Sequence, residues 1–445
     1  MAHKTEAECL LETGVLYHRR FLLYPATGEP IFAGFKPGAF SLYFGDAPIY
    51  HFDREGRWQR AFVDGLHVLK GLDTSVQAID RVREGENLVL KRRTLGYDEA
   101  NGFDDQVRTT ARELLDTFNA GHYKTVEPSS RGQPIAGGVL CEFLKMIVSW
   151  DVSAWLIYRE KYLETYGPLP FLPPDCPSPV VLQATLGHEN GRTFGAAAPS
   201  EHRVRTSVEF EHHALAVASL LGRRADQCKT VFLGGSDVLR HSAADLEAYL
   251  ETISRVFPIE PTTRHRHPGP FEETRARLDG IHAFLDDFAS PLPGLADWRR
   301  FQKLGLVRVS LGVESGCPEV RSLYGKHWAN GDLIELAAVL KDAGIGVSPI
   351  VLIGAGGSEN EKRHVSETLD LINALELGLG DVVALVDAAE VRASGLGEPI
   401  EPLAFTPISV SHRDAQRDVL KTRLEPVRTR KAKVVPYSLE KQGAG

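Results

Sequence analysis

The sequence predicts an α/β protein preceded by a β-rich module, and three observations predict it. From Pro179 onward, short β-forming runs alternate with helical runs, as in a parallel sheet with crossover helices. Residues from about 15 to 95 instead hold strand-like runs broken by turn signals. Between the two lies PLPFLPPDCPSP (168–179), whose six prolines exclude regular structure and mark a semi-rigid linker.

In the first part, RFLLY (20–24), FSLYFG (40–45), PIYHF (48–52) and NLVLKRRTL (87–95) are rich in β-formers, and TGEP, KPG, GDAP and DREG separate them. Aromatics are dense here (Phe32, Phe35, Phe40, Tyr43, Phe44, Tyr50, Phe52, Trp58 and Phe62) and suit the core of a small sheet better than a ligand groove. A helix is expected from Asp104 to about Phe118, with Val107, Leu114, Leu115 and Phe118 on one side. A second helical stretch runs from about Val139 to Tyr166 and stops at Gly167-Pro168.

In the second part the expected strands are 180–185, 229–233, a weak 258–263, 307–313, 347–353 and 381–387. Helical runs such as 244–257, 333–344 and 362–375 lie between them. Six β/α units suit a partial barrel open at one side or a doubly wound sheet, and periodicity does not choose. The expected organisation is a β-rich module (1–120), a helical segment with linker (121–178), the β/α domain (179–392) and an extension (393–445). In that extension Lys421, Arg423, Arg428, Arg430, Lys431 and Lys433 read as a solvated strand or tail rather than a nucleic-acid patch.

At 445 residues the chain has room for two to three domains, and 43% hydrophobic with 25% charged residues is ordinary for a soluble protein. A net charge of −8 and a pI near 6.1 argue against nucleic acid as a general partner. The first residues, MAHKTEAECLLETG, have no continuous apolar core of a secretory signal, and the apolar stretch at Val347–Ile353 is far too short to span a bilayer. No membrane association and a cytoplasmic location are expected. Cys9, Cys141, Cys176, Cys228 and Cys317 are widely spaced and odd in number, so neither a disulfide framework nor a local metal knuckle is expected.

Several stretches carry a resemblance. TLGHENGRTFG (185–195), HRVRTSVEF (202–210), VFLGGSDVL (231–239), GIHAFLDDF (280–288), VRVSLGVESG (307–316) and AAVLKDAGIGVSPIVLIGAGG (337–357) together resemble the radical S-adenosylmethionine (radical SAM) superfamily. The likeness covers about 179–392, and it is to a branch akin to the oxygen-independent coproporphyrinogen oxidase and Elongator-type groups. It implies a partial (β/α)6 TIM-type barrel. Family members carry C-x3-C-x2-C after the first strand, and each thiolate holds one iron of a [4Fe–4S] cluster. In register, this chain has His188, Arg192 and Gly195. Arginine stays protonated and offers no lone pair, and glycine has no side chain. The resemblance further implies Gly234, Gly235 and Ser236 for the aminoacyl end of S-adenosylmethionine. It likewise implies Ser310 and Glu314 for its ribose, and Ile353 and Gly354 for its adenine. The acid usual after the paired glycines is missing, since Ser236 is followed by Asp237.

The glycines also suit plain strand-to-helix turns. GAGGSE begins like a dinucleotide fingerprint but has Glu359 where the third glycine belongs. His188, His265, His267 and His282 could form a mononuclear metal site, though surface or hydrogen-bonded histidine is the plainer reading. No HExxH or G-x-S-x-G is present. The expected function is a radical-SAM-like protein that has lost the cluster motif, a binding or regulatory protein of non-radical type. S-adenosylmethionine remains the cofactor its pocket could hold; a [4Fe–4S] cluster is not expected. The alternatives are an enzyme with atypical cluster ligands such as Cys176, Cys228 or Cys317, and a metal- or S-adenosylmethionine-dependent enzyme of non-radical type. A small molecule at the strand ends is the expected partner, and a protein partner is left open.

Overall fold

The computed structural model describes residues 19–25, 31–36, 38–84, 87–126, 137–167, 169, 172–176, 178–187, 202–235, 237–260, 278–289, 291–393, 405–425, 429 and 431–437. Alternating apolar and polar residues near the N-terminus build an antiparallel sheet of β1 (Arg19–Pro25), β2 (Ile31–Lys36), β3 (Ala39–Phe44), β4 (Ile49–Asp53), β5 (Trp58–Val63), β6 (Leu66–Lys70), β7 (Val76–Glu84), β8 (Asn87–Thr94) and β9 (Tyr123–Val126). They meander in the order 8-7-6-5-4-3-2-1-9. The expected aromatic core is there: Phe40, Tyr50, Phe52 and Trp58 are buried, and Phe40 packs against Phe143 at a tilt, with ring centres 4.2 Å apart. Phe143 belongs to α2 (Gly137–Ser149), which follows α1 (Tyr97–Asn119) and precedes α3 (Val152–Thr165). The single helical stretch expected over 139–166 is thus two helices. Asp151 breaks it by adopting an extended N-cap conformation (φ −84°, ψ 179°) and accepting the Ala154 N–H at 2.9 Å.

The second part is a parallel sheet of β10 (Val180–Gln183), β13 (Val231–Gly234), β14 (Ile281–Leu285), β15 (Leu306–Glu314), β16 (Gly346–Ile353), β17 (Val382–Asp387) and β18 (Lys433–Tyr437), paired in that order. A short antiparallel pair, β11 (Thr185–Leu186) with β12 (Arg203–Val204), flanks its first strand. The helices are α4 (Ser207–Leu221), α5 (Ala243–Val256), α6 (Leu295–Lys303), α7 (Pro318–Ser322), α8 (Asn330–Asp342), α9 (Gly357–Ala374), α10 (Ala388–Ala393) and α11 (Val410–Arg423). The strand order never reverses, so the sheet lacks the switch point of a doubly wound fold.

Of the strand expected at 258–263, residues 261–263 lie outside the described residues; within 258–260 Ile259 makes an isolated bridge to Leu278, and Pro258 has no N–H to give a ladder. The third strand is β14 instead, and β18 from the extension closes the row. Alternate residues bury opposite faces. Val347, Val351, Val383 and Leu385 join the main core, while Ile350, Leu352, Ala384 and Val386 form a second one with Phe284, Val435 and Tyr437. No helix of the described residues is long and apolar enough to cross a membrane.

Two buried polar contacts join the parts. Arg57 donates to Asp53 Oδ2 at 2.6 Å and to the carbonyls of Leu220 and Leu221 at 2.9 and 2.6 Å, which ties β5 to the C-terminus of α4. In the linker, Asp175 accepts from Arg308 Nε (3.0 Å), Ser310 Oγ (3.3 Å) and Ser348 Oγ (2.5 Å), near the N-terminal ends of β15 and β16.

Candidate functional site

Ligands of parallel α/β domains bind beyond the carboxyl ends of the strands, and here that edge holds a buried charge cluster. β14 ends at Leu285 and Asp286 follows; β15 ends on Glu314. Both carboxylates turn to Lys326, which the chain delivers after α7 through a turn with Gly325 at φ +72°. Lys326 Nζ donates to Asp286 Oδ1 at 2.5 Å, to the Gly312 carbonyl at 2.7 Å and to Glu314 Oε2. Three acceptors thus meet the three N–H bonds of one ammonium. Lys326, Asp286 and Glu314 are all buried, and the buried rings of Phe288 and Trp328 pack together close by, 4.6 Å between centres.

The local backbone is shaped for this. Glu314 has φ +54°, and the Ser315 N–H closes a tight turn on the Val313 carbonyl at 2.6 Å. A non-glycine residue in that region is strained and persists only where its surroundings hold it. Gly312 has no room for a side chain, because a Cβ would overlap Asp286 Oδ1 and stand 2.7 Å from Lys326 Nζ. Asp237, also left-handed (φ +44°), accepts the N–H groups of Asp286 and Asp287 at 2.9 and 3.2 Å and so sets the direction of the β14 end. Burial, with Asp286 nearby, pushes the Asp237 carboxyl up to about 6. Burial pushes Glu314 up to about 7, against the pull of Lys326.

Beyond Glu314 the chain is pinned to α9. Ser315 Oγ meets His364 Nδ1 at 2.8 Å and accepts the Cys317 N–H at 3.0 Å, while the Gly316 N–H donates to Thr368 Oγ1 at 2.9 Å. Ser315 and His364 are both fully buried, so their contact orders the loop and offers no nucleophile to a substrate. Burial holds His364 down at about 4 and hence neutral. Cys317, Glu319 and Glu367 lie close enough together to hold a metal. Arg363 already donates to Glu319 and Glu367, at 2.8 Å each, and supplies the cation there.

The sequence-derived candidates fall in different places. Gly234 ends β13, and Gly235 (φ +136°) lies against Thr185, where any side chain would collide. Glu314 is in the cluster with Lys326. Ser310 sits four residues farther back on β15 and gives its hydroxyl to Asp175 at 3.3 Å. Ile353 ends β16, and Gly354 (φ +80°) donates its N–H to Gln416 Oε1 of α11 at 2.9 Å. A Cβ at Gly354 would come 2.9 Å from Arg413 Cδ, so α11 covers this glycine loop. Ser236, His188, Arg192, Gly195, His265 and His267 lie outside the described residues. His282 is buried on β14 beside Arg308, burial lowers it to about 4, and it does not join the strand-end cluster.

Asp286, Lys326 and Asp175 are not among the site residues that the sequence offers. An acidic pair directly after an apolar run, as in AFLDD, could have marked Asp286. Nothing in YGKHW marks Lys326.

The family's iron–sulfur cluster does not fit the residues that the resemblance puts in register with its motif, since His188, Arg192 and Gly195 offer no thiolate; at the strand ends Glu314 meets Lys326, and α11 lies over Gly354.

No family model matches the chain, and no curated protein sequence matches it. Solved structures to which it is similar are radical SAM enzymes. Coproporphyrinogen III oxidase (HemN) from Escherichia coli is 13% identical over 48% of this chain and 43% of its own, with a TM-score of 0.36. Methylornithine synthase (PylB) is 14% identical over 64% of this chain and 73% of its own, with a TM-score of 0.36. The radical SAM methyltransferase TsrM from Kitasatospora setae is 16% identical over 46% of this chain and 35% of its own, with a TM-score of 0.31. The match spans less than half of the length of HemN and of TsrM.

Proposed function

We propose that this protein is a radical-SAM-like binding or regulatory protein of non-radical type, built on a partial (β/α)6 barrel. The straight strand order, the helices between strands and a separate core on the second sheet face support the barrel reading. One observation carries the functional reading, the placing of the thiols. Cys228 lies three residues before β13, and Cys176 Sγ contacts Thr230 Oγ1 at 3.2 Å at the same end. Cys317 lies three residues after the end of β15, at the opposite end of the parallel sheet. Even the four residues of β13 separate those ends by roughly 13 Å. These cysteines cannot share one cluster, and the usual loop offers histidine, arginine and glycine. Such a protein works through a ligand or a protein partner instead of radical chemistry.

The test is iron and sulfide content with an absorbance spectrum, after anaerobic reconstitution of the full chain. No stoichiometric cluster is expected; about four irons with a broad charge-transfer band would overturn the reading. S-adenosylmethionine is the ligand to add next, with Tm as the readout. A saturable rise would show that the nucleoside pocket survives.

A further inference from the structure

Lys326 is seated as a ligand would be. Its ammonium meets acceptors from the ends of two neighbouring strands, Asp286 after β14 and Gly312 with Glu314 on β15, while the lysine itself comes from the turn after α7. The strands build the cradle and a connecting segment fills it. Two carboxylates face one cation, with Asp237 bound to the backbone alongside. Gly312 keeps the space clear.

We infer that Asp286, Glu314 and the Gly312 carbonyl form a binding site for a primary alkylammonium group, which Lys326 occupies as a tethered ligand. A free amine therefore has access only when the lysine side chain is gone. A carboxylate pair left buried without its cation is strongly unfavourable, and this gives the emptied cradle its affinity. The three-acceptor geometry selects a group with three N–H bonds over a cation of charge alone. The inference does not depend on the family reading.

Replacing Lys326 by alanine removes an atom set equivalent to n-propylammonium, and that compound is the probe. The Lys326→Ala variant of the full chain should show a lowered Tm and a saturable rise of roughly 2 °C or more with n-propylammonium. Wild-type protein should not respond, tetramethylammonium and sodium should not substitute, and Lys326→Ala/Glu314→Gln should respond several-fold more weakly. If Lys326→Ala is unfolded alone, n-propylammonium should restore cooperative unfolding when present during refolding. A folded variant indifferent to the amine, an unfolded one not restored by it, an equal response of wild type, or equal rescue by tetramethylammonium would each overturn the inference.

Discussion

Ser348, on β16, donates its hydroxyl to Asp175 of the proline-rich linker at 2.5 Å, across 173 residues of chain. Arg308 and Ser310 bind the same carboxylate, so one linker side chain fastens the neighbouring strands β15 and β16 at their N-terminal ends. The linker is thereby an anchored part of the parallel sheet.

Removing that anchor should be costly. Asp175→Ala leaves the Arg308 guanidinium, only 18% exposed, without its carboxylate, and should destabilise the protein by about 3 kcal/mol. Asp175→Asn keeps the shape and should lose less. Urea unfolding of the three proteins checks this, and equal stability of wild type and Asp175→Ala would refute the anchoring role.

Arg57 does the equivalent work between the N-terminal sheet and α4. Arg57→Ala strands the fully buried Asp53 carboxylate and frees two carbonyls, which should cost about 3–5 kcal/mol. Lysine cannot reach both carbonyls and Asp53 from one planar fork, and it loses the stacking against Tyr158 at 4.9 Å. Arg57→Lys should therefore recover less than half of the loss in a denaturant midpoint. Recovery to wild-type stability would show that charge alone matters there.

Gly312 should tolerate no side chain. Gly312→Ala puts a methyl onto Asp286 Oδ1 and against Lys326 Nζ, and destabilisation of about 2 kcal/mol or more is expected. The exposed Gly331, with open space around it, is the matched control and should change little when replaced by alanine. Thermal unfolding of both variants decides it, and similar Tm values would argue against a closed cradle.

Glu314 should make stability depend on pH in a defined direction. Its carboxyl titrates at about 7 when folded and near the ordinary value of about 4.3 when unfolded. The folded state therefore holds the proton more tightly, and stability falls as pH rises through this window. Glutamine cannot ionise, so Glu314→Gln should gain on wild type between pH 5 and pH 8. Urea unfolding at both values measures the difference, and a widening in favour of wild type would sink the assignment.

Local pattern alone made much of the fold legible. Alternating β-formers marked β1, β3, β4 and β8, while continuous apolar runs marked β10, β13, β15, β16 and β17, because strand periodicity and burial are written in neighbouring residues. β14 and β18 were less visible. IHAFL is short with a histidine inside, and KVVPY carries a proline in a basic tail, so neither stands out until a sheet edge receives it.

By itself, the sequence determined where the turns fall and which residue types stand in register with the cluster motif of the resembling family. Arg192 and Gly195 cannot bind iron wherever they sit, and Gly235 and Gly354 mark positive-φ strand ends because a side chain is disfavoured there. Only the tertiary structure decided what fills those ends. Lys326 reaches Asp286 across 40 residues, Asp175 reaches Ser348 across 173, and α11 comes back to cover Gly354. A charge pair acts over a few ångströms of space, and no spacing along a chain encodes which distant segments the packing of a sheet will bring that close.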